Sequence, residues 1–172
     1  MARRLVTGLS QLTFDGKNRQ QVAIERLRAF EPTEGYYLAF SGGKDSVVLH
    51  HLAQMAEVSF DAHYHITTVD PPELVRFIRT HYPTVIRERP PMSMRELVLK
   101  HKFPPSRQQR YCCEELKEQG GIGRVLLTGV RWAESARRQK RRLVEGCLQG
   151  GPRSFVHPII DWSDEDVWSF IR

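Results

Sequence analysis

The stretch Tyr36–Ala56, YYLAFSGGKDSVVLHHLAQMA, limits the fold more than any other part of the chain. A short aromatic and apolar run suited to a buried strand gives way abruptly to Ser-Gly-Gly-Lys-Asp-Ser. From Ser46 the residues Val48, Leu49, Leu52 and Met55 recur at helical spacing. Glycines in a strand-to-helix turn let the backbone bend tightly and leave its N–H groups uncovered. Those amides, with the positive end of the following helix, make a site for an anion. Gly42 and Gly43 supply the amides, Ser41 and Ser46 add hydroxyl donors, and Lys44 adds a point positive charge.

The rest of the chain repeats the pattern. NRQQVAIERLRAF places Ala23, Ile24, Leu27 and Phe30 on one helical face, and EPTEG breaks it. FDAHYHITTVD reads as a second strand ending at Asp70. Pro71 and Pro72 then open the helix ELVRFIRTHY, because a missing N–H is harmless in a first turn. A strand around Val85–Glu88, a helix near Ser93–Lys102 and a helix from about Cys112 follow. RVLLTG and SFVHPII are further strands. DWSDEDVWSFIR closes as a helix, with Ser163 and Asp166 in a capping-box pattern and Trp162 and Trp168 assigned to core packing. Strands alternating with helices in this way predict an α/β fold with a parallel, doubly wound sheet. Ligands in such folds sit beyond the carboxyl ends of the strands. Ser41–Ser46, Asp70 and Gly129–Arg131 all fall at such ends.

With 172 residues, 40% hydrophobic and 27% charged, the chain reads as one soluble domain able to bury a core. It has no apolar run of membrane-spanning length, and its start lacks the apolar core of a secretion signal. The expectation is a cytoplasmic protein with no membrane partner. Three cysteines, Cys112 and Cys113 adjacent and Cys147 distant, make no disulfide framework. His50, His51, His63 and His65 form no metal-ligand pattern with them. The net charge of +6 favours an anionic partner, nucleotide or nucleic acid. Much of it is local, in Arg137, Arg138, Lys140, Arg141 and Arg142. That run is either a solvated surface or a nucleic-acid contact.

The phosphate loop of common NTPases fails on spacing, since position 38 is leucine and position 11 is glutamine where its first glycine belongs. SGGKDS instead resembles the pyrophosphate-binding loop of the adenine nucleotide α-hydrolase group, the N-type ATP pyrophosphatases. Three further stretches resemble the phosphoadenylyl-sulfate (PAPS) reductase family within that group. TTVDPPELVRFI resembles its Asp-containing segment after the second strand. TGVRWAESARR resembles its Gly-x-Arg-x-x-Glu-Ser-x-x-Arg signature through Gly129, Arg131, Glu134, Ser135 and Arg138. HPIIDWSDEDVWSFI resembles the last segment of its nucleotide domain. The resemblance covers residues 34–172 and implies a Rossmann-like domain there, either a short natural form or one cut off at its C-terminus, behind a helical lead-in over 1–33. It implies about five parallel strands, with an adenine nucleotide across their carboxyl edge.

The resemblance also implies roles. Ser41–Ser46 would cradle the β,γ-phosphates of ATP or the terminal group of a phosphosulfate, with Lys44, Asp45 and Arg131 as catalytic candidates. Gly129, Arg131, Glu134, Ser135, Arg138 and Asp70 would complete the nucleotide site. Arg131 and Arg138 suit phosphate through their guanidinium forks. Glu134 either orients Arg131 or forms a surface ion pair. Asp45 and Asp70 are candidates for Mg²⁺, and Asp70 equally for capping the next helix. Cys112 and Cys113 resemble the first half of an iron–sulfur signature, but no later Cys-x-x-Cys follows in this chain, so a cluster is not supported. The expected activity is Mg-dependent cleavage of ATP between its α and β phosphates with adenylyl transfer in sulfur-related metabolism. The alternatives are reduction of PAPS or adenylyl sulfate, sulfur transfer of the DNA-phosphorothioation type, and ATP sensing without turnover. A thiol-redox or sulfur-carrier partner and a homo-oligomer are further expectations from the family.

Overall fold

The computed structural model describes residues 18–147 and 153–172. Helix α1 (Arg19–Ala29) opens with a reciprocal cap, in which Asn18 Oδ1 accepts from the amides of Gln20 and Gln21 and the Gln21 side chain accepts from Asn18 N. Strand β1 (Tyr36–Ala39) leads into α2 (Lys44–Ala56), then β2 (Phe60–His65), α3 (Pro72–His81) and β3 (Ile86–Glu88). Helices α4 (Met94–His101) and α5 (Tyr111–Leu116) cross to β4 (Val125–Leu127). Two short 3-10 turns precede β5 (Val144–Cys147), and β6 (Arg153–Val156) leads to α6 (Asp164–Ile171). α6 begins with the capping box expected from Ser163 and Asp166, each bonding the other's backbone amide.

The sheet order is β3-β2-β1-β4-β6-β5. The first five of these strands are parallel, and β5 pairs antiparallel with β6 at the edge. The sheet is therefore Rossmann-like, with five parallel strands and one further strand. The chain moves from β1 outward through β2 to β3, then returns to the other side of β1 as β4. The order of strands thus reverses between β1 and β4, where the carboxyl ends open a crevice.

Tyr36 and Leu38 of β1 are fully buried, in one core with Ala23 and Leu27 of α1, Val48, Leu49 and Leu52 of α2, and Ile78 of α3. α1 thus packs into the same core as the sheet, and Tyr36 Oη donates to the carbonyl of Leu27 at 2.8 Å. The opposite face carries a polar network instead. Tyr37 stacks on His63 and bonds His65 Nε2 at 2.7 Å, while Arg124 reaches Asp61.

Several expectations need correction. The second strand ends at His65 and not Asp70, and α2 begins at Lys44 and not Ser46. Phe30 is the exposed C-cap of α1, and Trp168 is 47% exposed while Val167 beside it is buried. In a helix of eight residues the buried stripe is narrow, and it runs through Val167. Trp162 does lie in the core. No helix among the described residues is long and apolar enough to cross a membrane.

α1 is tied to the segment before α6 by a forked ion pair. Arg26 reaches both carboxylate oxygens of Asp161, at 2.7 and 3.0 Å, and the carbonyl of Pro158. Burial alone would raise the Asp161 carboxyl, but bonding to Arg26 outweighs it and the pKa is lowered. A depressed carboxyl contributes stability above its unfolded pKa, near 3.9, which is lost as pH falls through the folded value. Arg26→Ala should therefore lower unfolding free energy by about 1–2 kcal/mol at pH 7, measured by urea titration. The deficit should shrink below about pH 4 as Asp161 protonates in both proteins.

Candidate functional site

The Ser41–Ser46 loop lies where β1 leaves the sheet, at the crevice. Gly42 has φ +73°, a conformation that side chains disfavour, and a Cβ there would come within 2.6 Å of Leu74 Cδ1. The loop then closes on its own hydroxyls. Ser46 Oγ accepts from Ser41 N at 3.2 Å and donates to the Gly43 carbonyl at 2.8 Å, and the two serine oxygens lie 3.2 Å apart. Gly43 is the N-cap of α2 and gives it no side-chain cap. The first-turn amides of Lys44, Asp45 and Ser46 thus have no acceptor within the helix. The geometry is that of an anion cradle with a helix terminus behind it.

The other side of the crevice is the exit of β4. A Cβ on Gly129 would lie 2.9 Å from Asp45 Cβ and 3.1 Å from its carbonyl carbon. Glycine therefore lets β4 approach the first turn of α2 directly. Two residues later, Arg131 is fully buried. Its Nε donates to Asp45 Oδ1 at 2.7 Å, and one terminal nitrogen donates to Asp164 Oδ1 at 2.8 Å. The other terminal nitrogen donates to the Trp162 carbonyl at 3.2 Å. Burial opposes its charge, but the Asp164 bond and the field of Asp45 prevail and raise its pKa. The Asp164 carboxyl is held below its ordinary range by the bond and charge of Arg131, then by Lys44. Arg131, expected to face a phosphate, is instead an internal brace joining β4, α2 and α6.

Lys44 completes this group, with Nζ 3.2 Å from Asp45 Oδ2 and 3.4 Å from Asp164 Oδ1. Its side chain is partly exposed, unlike that of Arg131. Glu134 Oε2 accepts from Arg131 N at 2.9 Å and also pairs with Arg138. Both readings of Glu134 therefore hold: it orients the Arg131 backbone and forms a partly exposed ion pair. Ser135 Oγ accepts from Arg138 N at 3.3 Å and fixes the second 3-10 turn.

Asp70 lies at the exit of β2 and does not cap α3, whose N-cap is Pro71 without a side-chain bond. Its Oδ2 instead accepts from Thr67 N at 2.6 Å, closing the loop. Thr68 in that loop has φ +67°, which is strained for a β-branched residue, and its hydroxyl accepts from Met94 N at 2.9 Å. Asp45 gives one oxygen to Arg131 and the other to Lys44. With Asp70 engaged elsewhere, this donor set does not fit a protein-held Mg²⁺. No group of three or more His, Cys, Asp or Glu side chains among the described residues is arranged to hold a metal ion.

Asp164 and His157 were not singled out in the sequence. His157 is buried behind the β4 exit and shares a 2.6 Å hydrogen bond with the Thr128 hydroxyl, and burial pushes its pKa down. The sequence signal for Asp164 was only that of an acidic helix start. Cys112 and Cys113 lie in the first turn of α5, where Arg110 donates to Cys113 Sγ at 3.2 Å. Burial and the neighbouring Cys113 push the Cys112 thiol up. The Cys147 side chain lies outside the described residues.

Removing the guanidinium would leave Asp45 partly buried without its strongest partner. Arg131→Ala should lower unfolding free energy by about 3 kcal/mol. Asp164→Asn, at a carboxylate 67% exposed, should cost much less. Chemical denaturation of both variants checks this, and equal small losses would contradict the bracing role.

The family model for the phosphoadenosine phosphosulfate reductase domain matches residues 35–172. The fold is similar to that of phosphoadenylyl-sulfate (PAPS) reductase from Candida auris, solved as a phosphate complex. The TM-score is 0.62 and the identity 18%, over 95% of this chain and 88% of that one. It is also similar to Candida glabrata FMN adenylyltransferase with FMN and the ATP analogue AMPCPP. There the TM-score is 0.57 and the identity 12%, over 89% of this chain and 55% of that one. Yeast FAD synthetase in complex with FAD gives a TM-score of 0.53 at 11% identity, over 89% of this chain and 56% of that one. This chain thus spans little more than half the length of the flavin-nucleotide enzymes. No curated protein sequence matches it. At these identities the structural likeness is one of fold, whereas the family match runs through β1–α6. The chain belongs to the phosphoadenosine phosphosulfate reductase domain family.

Proposed function

We propose that this protein binds ATP with its β,γ-phosphates in the Ser41–Ser46 cradle and transfers the adenylyl group to an acceptor, releasing pyrophosphate. The observation that carries the reading is the intact cradle at the strand-order reversal, with uncommitted helix amides and Lys44 beside it. Solved complexes of the Candida glabrata FMN adenylyltransferase with ATP, and with FAD and inorganic pyrophosphate, support it as examples of adenylyl-transfer ligands held by a similar fold.

An acceptor oxygen attacks the α-phosphorus, the bond from that phosphorus to the bridging oxygen breaks, and pyrophosphate leaves with the bond's electron pair. The acceptor's proton passes to solvent. The chain's task is positioning and charge neutralisation. The amides of Gly42 and Lys44–Ser46 hold the leaving group, while Ser41 and Ser46 fix the loop's shape, Ser41 Oγ accepting from Gly43 N. Lys44 exchanges its carboxylate partners for phosphate oxygens. Arg131 keeps Asp45 and the start of α2 in place, so it is a positioning residue. Arg138, partly exposed and paired with Glu134, would have to exchange that carboxylate to meet the nucleotide's remaining charge. Mg²⁺ would arrive with the substrate's phosphates, the usual way the ion is carried in such sites.

A second reading is favoured by the family match and by the coverage of most of the Candida auris PAPS reductase. In it the same cradle takes the phosphosulfate of PAPS or adenylyl sulfate. One thiol of an external dithiol attacks the sulfonyl sulfur and displaces the nucleotide, and the second thiol then releases sulfite as the dithiol is oxidised to a disulfide. The test is incubation with ATP, Mg²⁺ and candidate acceptors, and separately with PAPS or adenylyl sulfate and thioredoxin. Pyrophosphate release with an adenylylated product is expected, and Lys44→Ala should slow it by roughly a hundredfold. Sulfite release without pyrophosphate formation would overturn the adenylyl-transfer reading in favour of the second.

A further inference from the structure

The basic run after Arg131 is not a loose charged loop. Trp132 N donates to the Ile160 carbonyl at 2.8 Å, anchoring the segment beside the nucleotide crevice. Trp132 Nε1 donates to the Arg141 carbonyl at 2.8 Å, which fixes the ring against the backbone of the basic residues. The amides of Arg138 and Gln139 both donate to the Ser135 carbonyl, and Arg141 N to that of Arg138. Arg138 and Arg141 are neutralised by Glu134 and Glu145. Arg137, Lys140 and Arg142 are exposed and have no ion pair among the described residues. The segment therefore presents three uncompensated cations on a hydrogen-bonded frame.

Lys140 and Arg142 line a groove of 290 Å³ with Val144, Glu145 and Gly146. Its floor is β5, the edge strand of the sheet. Trp132, 40% exposed, lies against residue 141 between the two groove cations in sequence, and Val144 is also 40% exposed. Two groove cations on either side of the backbone carbonyl that holds a partly exposed indole suit a strand of unpaired nucleotides. The cations meet phosphates, and the ring offers a face on which any base can stack. A duplex keeps its bases stacked on one another and offers no free base face to the indole, whereas an unpaired strand does. An acidic peptide could use the charge and the strand edge, but it has no use for the indole.

We propose that the surface formed by Trp132, Lys140, Arg142 and Val144 binds a single-stranded nucleic acid, RNA or DNA, as the macromolecule brought to the nucleotide site. The binding stands on this surface alone. That the strand is the adenylyl acceptor rests on the function proposed above.

Fluorescence anisotropy with labelled single-stranded RNA and DNA oligonucleotides, their duplexes and polyglutamate tests it, with ATP affinity measured in parallel by calorimetry. Binding of a single strand in preference to duplex and polyglutamate is expected. K140E/R142E, at two exposed side chains with no ion pair among the described residues, should weaken that binding at least tenfold while ATP affinity stays within twofold. The slope of log affinity against log salt should become shallower by about 1.4 for two lost phosphate contacts. Trp132→Leu should weaken single-strand binding severalfold, and the ratio of RNA to DNA affinity identifies the strand. Equal binding of duplex or polyglutamate, or unchanged binding by K140E/R142E, would overturn the proposal. Absence of single-strand binding with ATP binding intact would overturn this surface alone. Strand binding without ATP binding would support it while overturning the nucleotide reading.

Discussion

The arrangement depends on one buried guanidinium. Arg131 is removed from water entirely, a large desolvation cost, and it is tolerable because Asp45, Asp164 and the Trp162 carbonyl receive its donors. In return the first turn of α2, the exit of β4 and the start of α6 are held at fixed positions around the crevice. Gly129 makes the approach possible, since any side chain there would occupy the space of Asp45.

The charge balance around this brace bears on ligand binding. Arg131 and Lys44 face Asp45 and Asp164, so the four charges sum to zero. Each carboxylate keeps a hydrogen bond to Arg131 that does not involve Lys44, so under the proposed function the lysine can turn to an anion while Asp45 and Asp164 each retain one partner. The loop's own serines fix its shape, which leaves the α2 amides for the ligand. Asp45 in the first turn also suits the positive helix end.

Much of this was legible where the signal is local. The cap of α6 is written in Ser163 and Asp166, three residues apart, and the strand-turn-helix around Ser41 in a change of period. The five parallel strands follow from apolar runs separated by helical segments. β5 was missed because Val144–Cys147, with glutamate and glycine inside it, shows no apolar alternation. It exists through pairing with β6. Arg131 and Asp164 lie 33 positions apart, and neither reveals alone that the two meet. A motif arginine reads as a ligand contact in sequence, because only the tertiary structure shows that its fork is already occupied. Trp168 failed for a related reason: hydrophobicity does not say which side of a short helix has a neighbour.

The proposed function turns on peptide N–H groups at the head of α2 holding the nucleotide's phosphate tail. Gly43 isolates that claim, since its φ of −77° is open to any residue and a Cβ there meets only Ser41 Oγ, at 3.4 Å. Calorimetric titration of Gly43→Val with ATP is the most direct measurement. The account predicts at least a tenfold loss of affinity, with a stability loss no larger than the roughly 1 kcal/mol of a poorer helix cap. Wild-type affinity in a folded Gly43→Val protein would contradict it.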